Sequence, residues 1–439
     1  RVTWTAGDTL VFNDPYLGGT HLPDVTLVSP VFVDGELQAF VANRAHHADI
    51  GAESPGSMPV STSLMQEGLV LEPDFLIRNG EWNSALRQKI IGSARKPDES
   101  LGDFSAQVSA NMAGLQRLQA LIAKMQGDSF SRAVDALNAY GESLARQMLA
   151  KIPDGEYRFS DLLDDDGIGD SGILLRLLLT VDGEGCHLDF TGTAAQVGGN
   201  VNCPLSVTAA GVFYVFRCLM PPQAPACAGI FRPISLYAPE GTLLNARFPA
   251  AVAAGNVETS TRVVDLVCGA LAQAIPDSMP AASHGSMNNL AMGVNGEQAW
   301  DYYETIGGGM GSGRNGGGLS AVQTHMTNTR NTPVEVLESH FPIRVESYAI
   351  RHDSGGEGRR RGGDGIVRTF RFLDNARFTL LTERRHNAPW GLESGGNGKP
   401  GRNLLNGQEI PAKCEKEVAA GDLLTIETAG GGGWGPSGE

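Results

Sequence analysis

A chain of 439 residues is too long for one ordinary hydrophobic core, so its length predicts two or three domains. Apolar residues make up 41% and charged residues 19% of the sequence, a composition typical of folded proteins rather than disordered ones. The formal net charge of −15 argues against a nucleic-acid-binding surface and against an anionic membrane as a partner.

The cysteines and the hydrophobic runs predict where the protein works. Six cysteines are scattered without a C-x-x-C pair, which favours reduced thiols and a cytoplasmic location over a disulfide framework or a zinc knuckle. No run approaches the roughly 18 apolar residues of a membrane-spanning helix, and no signal-peptide pattern opens the sequence. Because the sequence starts without Met and almost at once on an alternating stretch, we expect it to be a fragment of a longer polypeptide.

The predicted elements change character along the chain. Alternating β-branched and aromatic residues predict strands in the first fifty residues, with a tight hairpin turn in VDGEL. Two apolar stripes of helical period predict an antiparallel helical pair over 103–149. Further on we expect a helix over 206–219 and another over 261–274, capped by Ser260 or Thr261.

This order of elements predicts an α+β fold with a glycine-rich, β-rich end. Glycine accounts for 57 residues, roughly twice the usual share, which indicates many turns and close backbone approaches. The predicted segments are a β-rich segment with the metal-site motifs (1–100, with its N-terminus truncated), the helical pair (101–152), an α+β middle domain (153–299) and a glycine-rich β domain (300–439).

Three of the nine histidines lie in the first fifty residues, close to two aspartates. His21 and Asp24 share a turn in GGTHLPD, and imidazole with carboxylate suits a divalent ion such as Zn²⁺, Mn²⁺ or Fe²⁺. The adjacent His46 and His47 face opposite sides of a strand, so only one of them can easily join the first two. The alternative is that these residues only cap turns or lie on a polar surface.

The other motifs carry less chemistry. Residues 306–326 contain a G-x-G-x-x-G pattern, but the sequence after it is a poor helix, so we reject a dinucleotide site. GGNGKPG has Pro where a P-loop needs Ser or Thr, so the chain carries no recognisable ATP site of its own. GDSG at 169–172 is interpreted as a turn rather than as a protease nucleophile.

Two further stretches keep two interpretations each. Arg359, Arg360 and Arg361 lie between glycines and could bind an anion, although a solvated loop is the alternative. His325 lies in a polar stretch and could add a metal ligand or a proton-transfer group, although a hydrogen-bonded loop histidine is the alternative.

Six stretches in order along nearly the whole chain resemble the hydantoinase B/oxoprolinase family. They are GDTLVFNDPYLGGTHLPDVTLVSPVF, HHADIGAESPGSMP, GNVNCPLS, THMTNTRNTPVEVLE, DSGGEGRRRGGDG and GGGGWGP. The resemblance implies an α+β subunit of a hetero-oligomeric or fused enzyme. Its partner would be a hydantoinase A-type protein that binds ATP and Mg²⁺.

The resemblance also implies an activity and its residues. Family members open cyclic amides such as hydantoins and 5-oxoproline with ATP, and related carboxylases act on ketones. The carboxylase branch carries a divalent metal (Mn, Zn or Fe) whose ligand pattern falls on His21, Asp24 and His46. His47 and Asp49 are then the predicted residues that orient the ligands, with Asp14 in a similar role.

We therefore expect a subunit that performs metal-assisted hydrolysis of a phosphorylated cyclic amide made by its partner. His47, Asp49 and His325 are the predicted catalytic residues beside the metal. A subunit of an ATP-dependent ketone carboxylase and a non-catalytic scaffold subunit are the two alternatives.

Overall fold

The computed structural model describes residues 2–125, 128–296 and 299–438. They form four sheets with helices packed on them, which confirms the predicted α+β class. The first sheet is antiparallel with strand order β3-β2-β1-β4-β5. Its strands are β1 (Thr9–Phe12), β2 (Asp24–Val33), β3 (Glu36–His46), β4 (Asp74–Arg78) and β5 (Glu81–Trp82).

The hairpin between β2 and β3 turns at two residues, Asp34 and Gly35, with φ angles of 51° and 82°. Positive φ at both positions is the type I′ geometry that matches the twist of paired strands. The predicted turn in VDGEL is therefore confirmed.

Three helices follow the first sheet, namely α1 (Ser84–Ser93), α2 (Pro97–Lys124) and α3 (Ser129–Leu149). α2 packs across β2 and β3, whereas α3 packs on the turn at Ala228–Phe231, which corrects the predicted antiparallel pair. The reason lies in the two stripes. Gln107 and Asn111 of α2 are buried against the sheet, whereas Val134 and Leu137 of α3 stay 41% and 48% exposed.

The second sheet has strand order β6-β7-β8-β9, and β8 and β9 pair in parallel. Its strands are β6 (Gly155–Asp165), β7 (Ser171–Asp182), β8 (Gly185–Asp189) and β9 (Ile234–Tyr237). Its helices are α4 (Leu205–Leu219), which confirms the helix predicted over 206–219, and α5 (Ser260–Ala272). GDSG spans the end of the turn from β6 and the first two residues of β7, so the predicted turn covers only its first half.

The predicted caps of α5 are wrong. A π-helical turn at Gly255–Thr259 leads directly into α5, so Ser260 and Thr261 already have helical neighbours on both sides. Their hydroxyls donate back along the helix, from Ser260 to the Asn256 carbonyl (2.6 Å) and from Thr261 to the Glu258 carbonyl (2.7 Å). π turns often mark functional sites, and this one places Asn256 near β2.

The last part of the chain forms two interleaved antiparallel sheets, ordered β11-β10-β14-β17 and β12-β13-β18-β15-β16. The first contains β10 (Asn289–Val294), β11 (Trp300–Glu304), β14 (Ala376–Leu381) and β17 (Lys413–Val418). The second contains β12 (Ile343–Arg351), β13 (Gly365–Phe372), β15 (Arg402–Leu405), β16 (Gln408–Ile410) and β18 (Leu423–Glu427), with α6 (Val334–His340) beside β12.

The glycine-rich loops of this part pack backbone against backbone. A Cβ on Gly309 would lie 2.0 Å from the Gly363 carbonyl oxygen, so no larger residue fits there. Residues 317–333 form no helix after the G-x-G-x-x-G pattern, which confirms that it is not a dinucleotide fingerprint.

In the described part of the chain, the buried apolar side chains form three clusters, around the first sheet, around the second sheet and between the last two sheets. The predicted domain limits stay a prediction, and β10 and β11 pair across the one at 299. Among the described residues, no helix is long and apolar enough to cross a membrane.

Candidate metal centre

Two paired strands and one turn bring His21, Asp24 and His46 together. Asp24 is the first residue of β2 and His46 is the last of β3, and the two lie opposite each other in the strand register. His21 lies in the turn before β2, where its carbonyl accepts a hydrogen bond from the Asp24 amide (3.0 Å). Residues 25 positions apart thus meet at one edge of the first sheet.

The three side chains converge on one point. The His21 Nε2 atom lies 3.3 Å from Asp24 Oδ1, and the His46 Nδ1 atom lies 3.2 Å from the same oxygen. One ligand atom from each residue falls within 4.8 Å of the other two. Of the described residues, no other group of three His, Cys, Asp or Glu side chains meets this condition. Two imidazoles and one carboxylate on one side leave positions open for water or substrate on a divalent ion.

The polar atoms of this cluster are buried, so leaving them without a partner would cost free energy. His21 is 1% exposed, and neither ring nitrogen makes a geometrically good hydrogen bond among the described residues, although Nε2 lies within ion-pair distance of Asp24 Oδ1. Buried polar atoms are normally paired, so an orphaned imidazole beside a carboxylate fits a metal ligand. Burial disfavours the charged imidazole, but the Asp24 carboxylate outweighs this and raises the pKa of His21. Burial also opposes the ionised form of Asp24, but His21 and His46 hold its pKa far below the usual range.

The second oxygen of Asp24 is held by protein donors. Its Oδ2 atom accepts from the Thr20 hydroxyl (2.6 Å) and from the Asn256 amide (3.3 Å). This leaves Oδ1 facing the two histidines. Sequence reasoning missed Asn256, because it lies 232 positions away and reaches the site only through the π turn.

A tyrosine fixes the ring of His46 from the other side. The Tyr303 ring stacks on His46 with centroids 5.5 Å apart and an interplanar angle of 29°. Its hydroxyl donates to Asn289 Oδ1 (2.6 Å), and the Asn289 amide donates to Glu258 Oε1 (2.7 Å). Burial raises the pKa of Glu258 to about 8. Nothing in the local sequence of these residues indicated their place beside the site.

His47 lies on the opposite face of the sheet from His46, as strand alternation requires. It is 2% exposed, its Nε2 atom lies 2.8 Å from Gln107 Oε1, and its ring centroid lies 4.5 Å from that of Phe104. Burial lowers its pKa, so the ring is neutral and donates to Gln107. In this position His47 connects the end of β3 to α2, and its role in orienting His46 stays a prediction.

The two other predicted aspartates, Asp49 and Asp14, make hydrogen bonds that hold neighbouring backbone segments. Asp49 accepts from the Arg95 backbone amide (2.5 Å), the Arg95 guanidinium (3.0 Å) and the Gly51 amide (2.8 Å). Asp14 accepts from the Tyr16 amide (2.8 Å) and its carbonyl accepts from Gly19 (2.9 Å), which shapes the loop that carries His21. Neither carboxylate belongs to the group of converging ligand atoms.

The remaining candidates lie elsewhere. His325 lines a cavity whose wall contains none of the three converging residues. Arg361 pairs with Asp353 (3.1 Å), and the Arg360 backbone pairs with Trp434, which favours a structural role for this loop. An anion site at the arginine cluster stays a prediction.

Comparison with known proteins identifies the family. The Hydantoinase B/oxoprolinase family model matches residues 1–437. A 5-oxoprolinase of Dictyostelium discoideum is 37% identical over 441 residues, which cover 98% of this chain and 34% of that protein. The B-type component of a putative D-/L-hydantoinase from a Pseudomonas strain is 32% identical over 99% of this chain and 76% of its own length. The chain thus spans about a third of that 5-oxoprolinase and three quarters of the hydantoinase component.

Two solved structures share the fold. The ATP-dependent caprolactamase of Pseudomonas jessenii superposes with a TM-score of 0.88 at 24% identity, covering 98% of this chain and 78% of that one. Nucleotide-free acetone carboxylase superposes with a TM-score of 0.87 at 17% identity, covering 98% and 65%. At these identities the likeness shows a shared fold.

Proposed function

This chain belongs to the hydantoinase B/oxoprolinase family, and we propose that it is a subunit of an ATP-dependent cyclic amidase, a hydrolase of amide C–N bonds. The convergence of His21, Asp24 and His46 on one point carries this proposal, because it gives the chain a candidate centre for hydrolysis. A hydantoinase A-type partner would bind ATP and Mg²⁺ and supply the phosphorylated cyclic amide.

The donor set fits a divalent ion such as Mn²⁺, Zn²⁺ or Fe²⁺. Imidazole and carboxylate suit these ions, and the buried His21 Nε2 atom has no competing hydrogen-bond partner among the described residues. Such an ion would polarise the substrate oxygen or lower the pKa of a bound water. His21, Asp24 and His46 would hold it.

The neighbouring residues keep these three ligands in place. Thr20 and Asn256 bind Asp24 Oδ2 and so direct Oδ1 toward the histidines. Tyr303 supports the ring of His46. Loss of such supporting hydrogen bonds typically lowers metal affinity about 10- to 100-fold.

The first experiment is metal analysis of the purified full chain by elemental mass spectrometry, in the parent and in a His21→Ala/His46→Ala variant. The proposal expects near-stoichiometric Mn, Zn or Fe in the parent and its loss in the variant. His187→Ala is the matched control, because His187 is an exposed histidine that hydrogen bonds to Ser235 on β9. Equal metal content in the parent and the double variant would contradict the proposed site.

The second experiment separates the activities. The chain is combined with a hydantoinase A-type partner and assayed with ATP, using a cyclic amide in one arm and a ketone with bicarbonate in the other. Ring opening that is lost in His21→Ala at unchanged thermal stability supports the amidase. Carboxylation alone would replace it with the ketone carboxylase, and full activity in His21→Ala would favour a scaffold role.

A further inference from the structure

Arg44 lies beside the candidate metal centre, on the same face of the first sheet. It precedes His46 by two residues on β3, and its strand partner on β2 is Thr26, two residues after Asp24. Side chains two positions apart on a strand point to the same face, about 7 Å from each other. Because α2 packs on the opposite face, Arg44 stays exposed.

Two neutral acceptors hold the guanidinium of Arg44 in place. Its Nε atom donates to the Thr26 hydroxyl (2.9 Å), and its Nη2 atom donates to the Gly18 carbonyl (3.0 Å). Among the described residues, no carboxylate lies within ion-pair distance of Arg44. Fixing an arginine side chain costs about 2 kcal/mol of conformational freedom, and here no countercharge offsets that cost. The positive charge is thus positioned without being neutralised, and three N–H groups stay available to a ligand.

The candidate metal centre opens toward solvent. The side chains of His46 and Asp24 are 35% and 18% exposed, whereas that of His21 is 1% exposed. One carboxylate and two neutral imidazoles around a divalent ion leave a single net positive charge, to which Arg44 adds a second one nearby. Since the chain as a whole carries a formal net charge of −15, these two charges form a local exception that favours an anion.

The loop that binds Arg44 has open space beside it. A Cβ built on Gly18 would meet no atom within 4 Å apart from those of its chain neighbours. Gly18 also lines a cavity of about 790 Å³, together with Tyr16 and Ser206. The Ser206 hydroxyl donates to the Gly19 carbonyl (2.5 Å), which fixes the loop between this cavity and His21. A ligand thus has room next to the acceptor that positions Arg44.

We propose that Arg44 binds an oxyanion group, a carboxylate or a phosphate, of the ligand that occupies the candidate metal centre. The planar guanidinium matches two oxygens of such a group, whereas a neutral carbonyl offers it only one. Arg44 thereby selects anionic ligands over neutral ones. The inference deepens the proposed function, on which it rests for the metal centre, by adding a residue that determines specificity through charge.

Chemical modification of arginine tests the proposed contact. The full chain, loaded with Mn²⁺, is treated with phenylglyoxal at constant ionic strength, and the modification of each arginine is followed by peptide mass mapping. Inorganic phosphate is expected to slow the modification of Arg44 by about fivefold in a saturable way, whereas chloride is not. Arg117 is the matched control, because it is exposed on α2 across the sheet from Arg44 and should react at an unchanged rate.

A second arm replaces phosphate with acetate. Protection by either ion supports the oxyanion site, because both offer two oxygens to the guanidinium. The ion with the lower half-protecting concentration identifies the group that Arg44 binds, a phosphoryl group or a carboxylate.

Variants test the charge and its positioning. Arg44→Gln should bind phosphate about tenfold more weakly in isothermal titration calorimetry while it keeps the metal content of the parent. Thr26→Val removes the hydroxyl that holds the guanidinium, so the half-protecting phosphate concentration should rise about fivefold. Thr26→Ser keeps a hydroxyl and should restore the value of the parent. Near-ultraviolet circular dichroism checks that each variant is folded.

The outcomes are separable from those of the proposed function. In the His21→Ala/His46→Ala variant, phosphate should still protect Arg44, although at a higher concentration, because Arg44 itself is unchanged. Protection of Arg44 in a parent that proves to hold no metal would support the oxyanion site and count against the metal centre. Unchanged modification of Arg44 in saturating phosphate and acetate would overturn the inference, and so would equal protection by chloride.

Discussion

The candidate metal centre and a buried ionic cluster around Glu383 both hold charged groups away from water, but they pair them differently. In the cluster, Glu383 accepts from Lys413 (2.6 Å) and Arg262 (3.1 Å), and Arg384 donates to Asp265 (2.5 Å). Each of these charges meets an opposite charge within the chain. At the candidate metal centre, His21 is as deeply buried. Its Nε2 atom lies 3.3 Å from the Asp24 carboxylate without making a geometrically good hydrogen bond, and its Nδ1 atom has no hydrogen-bond partner among the described residues.

The contrast teaches how to separate structural charge from functional charge. A buried ion pair that is complete needs nothing further, and removing one member leaves an uncompensated charge. A buried imidazole that is incomplete indicates a missing partner, since burial without pairing is costly. We therefore expect substitutions in the ionic cluster to lower the stability of the fold, and substitutions at the candidate metal centre to weaken metal binding.

The largest expected effect follows from removing one charge from the ionic cluster. Glu383→Gln leaves Arg262 and Lys413 without their shared countercharge, so we expect a loss of about 3 to 5 kcal/mol in the free energy of unfolding. Urea titration followed by circular dichroism measures it. Glu346→Gln is the control, because its pair with Arg371 is partly exposed (34% and 37%) and should cost about 1 kcal/mol or less. Equal losses in both variants would refute the distinction.

An intermediate effect is expected from Glu67, a buried carboxyl. It accepts hydrogen bonds from the Val252 and Ala253 amides (2.9 Å each) and from the Ser61 hydroxyl (2.8 Å). Among the described side chains it has no salt-bridge partner. Burial raises its pKa to about 7, from 4.5. The folded chain therefore keeps a proton that the unfolded chain releases. Stability from this group is fully present below pH 4.5 and is lost as the pH rises to about 7, by about 3 kcal/mol in all.

Glu67→Gln should flatten this slope, measured as the free energy of unfolding against pH between about 4.5 and 7. Glu53→Gln is the control, because Glu53 is exposed and its removal should leave the slope unchanged. A Glu67→Gln variant that follows the parent at every pH would show that this carboxyl does not titrate in that range.

The smallest expected effect concerns the candidate metal centre. Thr20→Val removes the hydroxyl that holds Asp24 Oδ2 at 2.6 Å, so we expect metal affinity to fall about tenfold with little change in stability. Competition with a chromogenic chelator measures the affinity. Thr191→Val is matched, because its hydroxyl donates to Asp189 at the same 2.6 Å far from the site in sequence. Indistinguishable affinities in the two variants would remove the proposed role of Thr20.

The sequence predicted what depends on local patterns. The turn motif and the alternating strand pointed to His21, Asp24 and one of the two adjacent histidines, and strand alternation separated His46 from His47. The resemblance to the family then selected His46. Asn256 and Tyr303 could not be predicted, because they reach the site only through tertiary packing.

The helices also show that local sequence patterns do not reveal packing partners. The periodicity over 103–149 predicted two helices correctly, but it could not say what each would pack on. The buried face of α2 contains Gln107 and Asn111, whose partners lie on β2 and β3. Their polarity gave no sign of burial. The wrong caps of α5 have a similar cause, since a π turn leaves no distinct signature in its residues.

The register of the hairpin between β2 and β3 determines which residues meet at the candidate metal centre. Asp24 faces His46 only because the strands pair from the turn in one fixed phase. Gaining one residue inside β3 would slide Ala45 opposite Asp24, and losing one would bring His47 there, with every side chain beyond the change moved to the other face. The spacing between His21, Asp24 and His46 is thus as much a part of the candidate site as the residues themselves, and this hairpin should tolerate substitution far better than insertion or deletion.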